Sequence, residues 1–364
     1  MARDSATTSK SAAAVEHYPW HDGLRTALSH QFDKLPHALL LQGRPGLGKH
    51  DFAIRLAQAL LCEQPRDATA CGKCRACHLF QAGTHPDFHV LQPEEITESN
   101  GNLCSVYGTR YPNDRKRARP SADITIYQIR SLIEDMQIRP YSASRKVVLL
   151  SPAEAMNLNA ANSLLKLLEE PPLGSMLLLV TGHPARLPAT IRSRCARLLF
   201  RPPPPAVAEA WLQSRPETRE HAARLLDLSG GAPLLAATLA REEFPRIRTQ
   251  LLQDLAALAQ SREHPVACAA RWKGFGTARV IGWLHGFAND LIKLGMGAAE
   301  SALLNPEAVT FEGNRKNKYK ISELYVFIDA ILEKYRQLNS PLDELLILED
   351  VLIRWIRLSR LQSN

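Results

Sequence analysis

The chain has 364 residues, which at about 150 residues per domain suggests two or three domains. Its hydrophobic content of 45% is ample for packed cores, and no apolar run approaches the roughly 20 residues that cross a bilayer. The polar start lacks the apolar core of a signal peptide, so we expect a cytoplasmic protein without a membrane partner; the net charge of +8 permits contact with nucleic acid without demonstrating it.

The first motif is a phosphate-binding loop at residues 43 to 50, which read GRPGLGKH. Its predicted nucleotide-binding residues are Gly43, Gly46, Gly48 and Lys49. A strand pattern at 37–42 precedes the loop and a helix pattern at 51–61 follows it, as such a loop requires. The last position should carry the hydroxyl that binds Mg²⁺, but His50 stands there, and imidazole is a poor ligand for this hard cation.

Four of the seven cysteines lie within sixteen residues, at Cys62, Cys71, Cys74 and Cys77. This spacing can place four thiolates tetrahedrally around Zn²⁺, and clustered cysteines without a secretory signal favour metal over disulfides. Four protein ligands leave no open coordination position. The pattern therefore predicts a structural zinc module at 62–77, held by a binding free energy on the order of 10 kcal/mol.

Apolar runs typical of buried parallel strands occur at 37–42, 88–92, 146–150, 176–181 and 196–200. Amphipathic helix patterns between them, such as 127–138 and 157–170, predict a three-layer α/β fold with a parallel sheet and helices on both faces. One segment, 97–122, interrupts this alternation and reads as a flexible basic insertion of unknown use, with its positive charges at Arg110, Arg115, Lys116, Arg117 and Arg119.

The second magnesium position is also lost. An Asp normally follows the next core strand, but the run at 146–150 leads into Ser151 and Pro152, and the first carboxylate is Glu154. Two losses at the two metal positions indicate a nucleotide-binding fold that has stopped hydrolysing nucleotide. Lys49 is intact, so nucleotide binding stays open as a doubtful possibility.

Four prolines at 202–205 mark the clearest domain boundary. We expect a disordered tail at 1–16, the α/β domain at 17–201, a small helical lid domain at 206–245 and an all-helical domain at 246–364. Apolar stripes in the last segment suit a helical core with a spare face for sister subunits. It contains no catalytic constellation.

Two stretches carry a family resemblance. Residues 162–172 read NSLLKLLEEPP and residues 187–195 read LPATIRSRC, which resembles the clamp-loader branch of the AAA+ proteins; its signature is Ser193-Arg194-Cys195. Within that branch, Tyr18-Pro19-Trp20, the four cysteines, the THPD stretch at 84–87 and the lost magnesium positions are similar to the delta-prime family of bacterial DNA polymerase III subunits. The match runs from about residue 17 to the end of the chain.

The resemblance implies an AAA+ RecA-like domain, a lid and a helical collar in a five-subunit ring that loads the sliding clamp onto primed DNA. Its implied partners are gamma/tau-type motor subunits, the delta subunit, the clamp and, through the complex, primer-template DNA. Arg194 would act in trans as an arginine finger in the neighbour's ATP site. ATP-binding members also carry a lid arginine, which Gly231-Ala232-Pro233-Leu234 lacks.

Other interpretations stay open at this stage. The chain could be an active ATPase motor subunit, with Glu154 or water replacing the missing ligands. It could be a zinc-containing nucleic-acid-binding module, an interpretation that rests only on the cysteines and the net charge. Arg194 itself could be an ordinary surface arginine at the end of a loop.

Overall fold

The computed structural model describes residues 15–100, 102–113, 120–141, 145–241, 244–300, 303, 305, 307–313, 319–338 and 343–360. Most of the predicted tail lies outside these residues, as do Arg115, Lys116, Arg117 and Arg119 of the predicted insertion. The chain divides into two compact units. One runs to Trp211 and includes Gly231–Leu235, and the other comprises Leu212–Gly230 and the chain from Ala236 onward.

Five parallel strands form one sheet in the first unit, in the order β2-β3-β4-β1-β5. Their bounds are β1 Ala38–Gln42, β2 Phe88–Leu91, β3 Lys146–Leu150, β4 Ser175–Thr181 and β5 Ala196–Leu199. The five predicted strands and their parallel arrangement are thus confirmed. One detail differs: β5 was expected to be buried, but three of the four residues of this edge strand are exposed.

Helices cover both faces of the sheet. Leu39 and Leu41 of β1 pack with the helix α2 (Lys49–Leu61), whereas Leu40 of the same strand packs with α6 (Ile126–Gln137) and α7 (Leu158–Glu169) on the opposite face. This alternation follows from the period of two in a strand. The predicted three-layer α/β fold is therefore confirmed.

Local sequence signals set the bounds of the two helices on the second face. At the start of α6, Thr125 and Gln128 form a capping box, and the Asn157 side chain accepts a hydrogen bond from the Ala160 N–H at the start of α7. The remaining helices of the first unit are α1 Asp22–Ser29, α3 Arg75–Gln81, α4 Glu94–Asn100, α5 Leu103–Gly108 and α8 Ala189–Arg192, and α9 Pro205–Gln213 crosses into the second unit.

The interpretation of 97–122 as a flexible insertion is wrong for its first part. Helices α4 and α5 cover most of 94–108, and Cys104 and Tyr107 are completely buried in the core on the α2 face. Tyr107 packs edge-on against Phe88 of β2 with ring centroids 4.7 Å apart. Polar residues and a glycine between short helices concealed this packing. Arg110 donates to the carbonyl oxygens of His85 and Phe88 at 3.2 and 3.0 Å.

The second unit is helical throughout its described residues, which confirms the helical character predicted for this region. Its buried core includes Trp272, whose Nε1 donates to Asp254 Oδ2 at 2.9 Å, and Trp355, whose Nε1 donates to the Leu255 carbonyl at 3.0 Å. Its helices are α10 Ala222–Leu228, α11 Pro233–Arg241 (which begins in the first unit), α12 Phe244–Ala259, α13 Pro265–Lys273, α14 Thr277–Gly295, α15 Glu307–Gly313, α16 Ile321–Gln337 and α17 Glu344–Arg360. Among the described helices, none combines the length and apolar character that a membrane crossing requires.

Candidate functional site

The predicted nucleotide loop joins the carboxyl end of β1 to the first turn of α2. Gly46 and Gly48 have φ angles of +79° and +77°, a region that a side chain strains. A Cβ at Gly43 would approach the Phe200 carbonyl oxygen to 2.4 Å, so that position also excludes a side chain. The glycines predicted from the motif therefore adopt a tight turn before a helix amino terminus, where phosphate-binding loops place their N–H groups.

Lys49 is buried, with 6% of its surface exposed, and donates from Nζ to the Arg44 carbonyl oxygen at 2.7 Å. Burial lowers the pKa of this ammonium to about 8, while the nearby Glu154 carboxylate acts in the opposite direction. Lys49 is still mostly protonated at pH 7. This hydrogen bond ties the Lys49 ammonium to its own loop.

The two positions where magnesium ligands are expected lie against each other. A hydrogen bond of 2.8 Å joins His50 Nδ1 and Ser151 Oγ. Burial lowers the pKa of His50, so the ring is held neutral. The pair thus joins an uncharged imidazole to a hydroxyl, without a carboxylate at either position.

A cavity of about 330 Å³ opens beside the loop, lined by Gly46, Lys49, His50, Glu154 and Leu234 among others. Within it, Glu154 Oε1 accepts hydrogen bonds from the Gly182 N–H at 2.9 Å and from His183 Nδ1 at 3.3 Å. The other oxygen, Oε2, is buried and has no hydrogen-bond partner among the described residues. A carboxylate therefore lines the space where a phosphate would lie.

The segment Gly231–Leu235 closes one side of the loop. The Leu234 N–H donates to the Gly46 carbonyl oxygen at 3.1 Å, and a Cβ at Gly46 would come within 2.6 Å of the Leu235 Cβ. This is the segment whose expected arginine is missing. Leucine side chains stand there instead.

Aromatic residues hold the loop from its other side, a feature that motif reasoning missed. The Tyr18 hydroxyl donates to Asp51 Oδ2 at 2.8 Å, and Trp20 Nε1 and His21 Nε2 donate to the Leu47 carbonyl oxygen at 3.1 and 2.8 Å. Tyr18 and Trp20 are stacked with centroids 5.0 Å apart. The sequence signal was the Tyr-Pro-Trp-His run, whose role is visible only once it lies beside the loop.

The four predicted cysteines form a compact cluster. Their Sγ atoms all lie within 4.8 Å of one another, with Cys62 and Cys74 3.8 Å apart and Cys71 and Cys77 4.0 Å apart. Tetrahedral coordination with metal–sulfur bonds of about 2.3 Å requires sulfur separations of about 3.8 Å. The cluster therefore fits a metal ion.

Backbone N–H groups already point at these sulfurs. Those of Gln64 and Cys71 lie 3.4 and 3.3 Å from Cys62 Sγ, and that of Cys77 lies 3.4 Å from Cys74 Sγ. Hydrogen bonds from backbone N–H groups, first that of Lys73, lower the pKa of Cys71 to about 6, whereas burial raises the pKa of Cys62 and Cys77. The two buried thiols therefore need a cation to ionise at neutral pH.

Arg194 lies on the surface, just after α8. Its guanidinium forms an ion pair of 2.5 Å with Glu169 Oε1 and donates to the Thr190 carbonyl oxygen at 3.0 Å. Both side chains are substantially exposed. The neighbouring Cys195 points inward and is buried, so the Ser-Arg-Cys turn anchors itself with Cys195 and presents Arg194 outward.

Comparisons with known proteins find the same kind of relative along most of the chain. Family models described as DNA polymerase III, delta subunit, and its C-terminal part match residues 23–204 and 242–357. The chain is 32% identical over 351 residues to DNA polymerase III subunit delta' of Pseudomonas aeruginosa, covering 94% of this chain and 98% of that protein.

Two further relatives are similar to the chain over different lengths. Identity to subunit delta' of Escherichia coli is 32% over 343 residues, covering 93% and 94% of the two chains. Identity to DNA polymerase III subunit tau of Salmonella typhimurium is 30% over 162 residues, which cover 44% of this chain and 21% of that protein. The chain therefore belongs to the delta' family of DNA polymerase III subunits.

Proposed function

We propose that this subunit does not hydrolyse ATP itself, supplies Arg194 to the ATP site of a neighbouring tau/gamma-type motor subunit, and so helps load the sliding clamp onto primer-template DNA. Its likeness to a tau subunit supports this partner. The single observation that carries the proposal is the hydrogen bond between His50 and Ser151. It occupies both positions that a magnesium-dependent motor needs for its metal.

The chemistry of that pair supports the loss of hydrolysis. Mg²⁺ requires near-octahedral oxygen ligands and neutralises the charge that develops on the transferred phosphoryl group. A neutral imidazole offers it nitrogen, and the Ser151 hydroxyl is already engaged. Without the metal, Lys49 is the loop cation that lines this cavity, and the cavity also contains the Glu154 carboxylate, which repels phosphate.

The double variant His50→Thr/Ser151→Asp tests this directly. It restores a hydroxyl and a carboxylate at adjacent positions, so we expect nucleotide affinity in Mg²⁺ to exceed that in EDTA by roughly 10- to 100-fold. A fluorescent ATP analogue titrated into the purified chain measures this. The single variants and the unsubstituted chain are the controls, and an equally large magnesium dependence in the unsubstituted chain would contradict the proposal.

The finger role rests on the exposure and chemistry of Arg194. Guanidinium keeps its charge at all physiological pH values and presents a planar fork of donors that suits phosphoryl oxygens. Its ion pair with Glu169 is exposed on both sides, and such pairs are worth about 1 kcal/mol or less. Glu169 therefore orients Arg194 at rest without preventing its transfer to a neighbour's phosphate.

The variant Glu169→Gln tests whether the ion pair with Glu169 restrains Arg194. Because Glu169 competes with phosphate for the same guanidinium, its neutralisation should raise hydrolysis at the adjacent motor site, by at most about fivefold. Glu170→Gln is the matched control, since Glu170 is exposed and has no ion pair among the described residues. The assay is steady-state ATP hydrolysis by the reconstituted complex. A fall in rate with Glu169→Gln would mean that Glu169 assists the finger instead of restraining it.

We propose Zn²⁺ as the metal of the cysteine cluster. Four thiolates in tetrahedral positions suit it and would fill its coordination sphere. Cys62, Cys71, Cys74 and Cys77 would hold the ion, whose contribution is to fold residues 62–77. The residues of the hairpin from Arg66 to Thr69 are exposed or half-buried and include no large apolar side chain, which supports a purely structural role for the metal.

A further inference from the structure

A second cavity of the first unit lies on the side of α2 that faces α1 and the cysteine module. Its volume is about 180 Å³, more than ten times the roughly 10–15 Å³ that one water molecule needs. The walls come from α1, α2 and residues 68–72, which include the end of the hairpin between Arg66 and Thr69, with Gln81 at the end of α3. It shares no residue with the nucleotide loop.

Two arginines and several neutral donors line this cavity, and its described lining contains no Asp or Glu. The polar side chains are those of His17, His21, Arg25, Arg55, Gln58, Thr69 and Gln81. The charge of Arg25 is balanced by Asp22, which lies outside the cavity lining and whose Oδ1 is 3.3 Å from the Arg25 NH2 atom. Arg25 also donates to the Asp67 carbonyl oxygen at 3.2 Å.

Arg55 is not compensated in this way. Its NH1 group donates to the Val15 carbonyl oxygen at 3.3 Å, and no described carboxylate forms an ion pair with Arg55. Burial and the neighbouring charge of Arg25 lower the pKa of Arg55, while the Asp22 carboxylate acts in the opposite direction, so the two guanidinium groups share one nearby carboxylate. The remaining donors of this half-buried guanidinium face the cavity side of α2 and suit an anion, which would form charge-assisted hydrogen bonds with them.

We propose that this cavity binds a tetrahedral oxyanion, either free inorganic phosphate or a phosphate group of nucleic acid, between Arg55 and Arg25. The anion accepts charge-assisted hydrogen bonds from the free donors of Arg55, and the amides of Gln58 and Gln81 complete its shell. Apolar walls from Leu28, Phe52 and Leu56 lower the local dielectric and strengthen these bonds.

The site depends on the cysteine module for one wall. Thr69 and Gly72 line the cavity, and Cys71 lies between them in the chain. Arg25 contacts the same hairpin through Asp67. A metal held by the cysteines therefore fixes both this wall and the position of Arg25, and oxyanion binding should weaken when the metal is removed.

Isothermal titration of inorganic phosphate into the zinc-loaded chain tests the proposal. All proteins carry Lys49→Gln so that the nucleotide loop does not contribute, and ionic strength is held constant with chloride. We expect saturable binding that Arg55→Gln weakens about tenfold or more, because one charge-assisted interaction is lost. Arg66→Gln is the matched control: it removes the same charge from an exposed position of the same hairpin, outside the cavity.

A second variant keeps the test decisive if Arg55→Gln misfolds. Gln58→Glu introduces a carboxylate into the cavity without removing an arginine and should also weaken phosphate binding. Competition by a short single-stranded oligonucleotide identifies nucleic-acid phosphate as the source, and binding without competition identifies the free anion. The proposal is overturned if the Lys49→Gln chain binds no phosphate, or if Gln58→Glu and Arg55→Gln bind as tightly as Arg66→Gln.

Discussion

Arg194→Ala should leave the assembled clamp-loader complex intact and slow ATP hydrolysis at the adjacent motor site by roughly 10³- to 10⁵-fold, which is about 4 to 7 kcal/mol of barrier. The side chain lies on the surface and its one ion pair is exposed, so its removal costs the fold little. In a complex with several active sites, total hydrolysis should fall by the share of that one site. The measurements are subunit composition by size exclusion and hydrolysis in the presence of clamp and primed DNA.

Arg197→Ala is the matched control for this prediction. Arg197 is also exposed and lies three residues away on the edge strand β5, so its loss changes net charge equally. Its substitution should leave hydrolysis unchanged. Equal rates for Arg194→Ala and the unsubstituted complex would remove the finger role and leave Arg194 an ordinary surface residue.

Metal removal should have the largest effect on the fold. Chelation forfeits a binding free energy on the order of 10 kcal/mol, Cys74→Ser forfeits part of it by removing one of four ligands, and residues 62–77 have too little core to fold alone. We expect hydrogen exchange to become fast from Cys62 through α3. The loss reaches the main core because Phe80 of α3 is buried and packs on Phe88 of β2, with centroids 4.6 Å apart.

A cysteine outside the cluster provides the control that separates the effect of metal loss from the effect of losing any buried thiol. Cys268→Ala removes a buried thiol of the second unit and should leave the zinc content unchanged. Added zinc should restore slow exchange to the chelated chain. Protection of 62–77 that persists in metal-free protein would mean that the module folds without an ion.

Features encoded by short stretches of sequence could be predicted. The five strands are continuous apolar runs, and the helix 157–170 was bounded by Asn157 and two prolines, so its observed bounds differ by one residue at each end. The four cysteines lie close together in the chain, and their spacing alone indicated a shared centre. The loop glycines followed from their motif.

Features that depend on contacts between residues far apart in the sequence could not be predicted. His50 and Ser151 are far apart in the sequence, and each was recognised as a loss, but nothing local indicated that they bond to each other. The same holds for the ion pair of Arg194 with Glu169 and for the hydrogen bond of Leu234 with Gly46, which also join residues from separate parts of the chain. The burial of α5 was missed because the basic residues, Gly, Asn and Pro of 97–122 indicated a loop, whereas packing on β2 decides the conformation of α5.

Magnesium-dependent ATP hydrolysis by the purified chain alone tests the central claim most directly. The His50–Ser151 pair and the Glu154 carboxylate predict no turnover above background, even at protein concentrations high enough to detect a very slow reaction. Turnover that Lys49→Ala abolishes would contradict this, because it would show that the loop carries out catalysis and that the chain is a motor subunit.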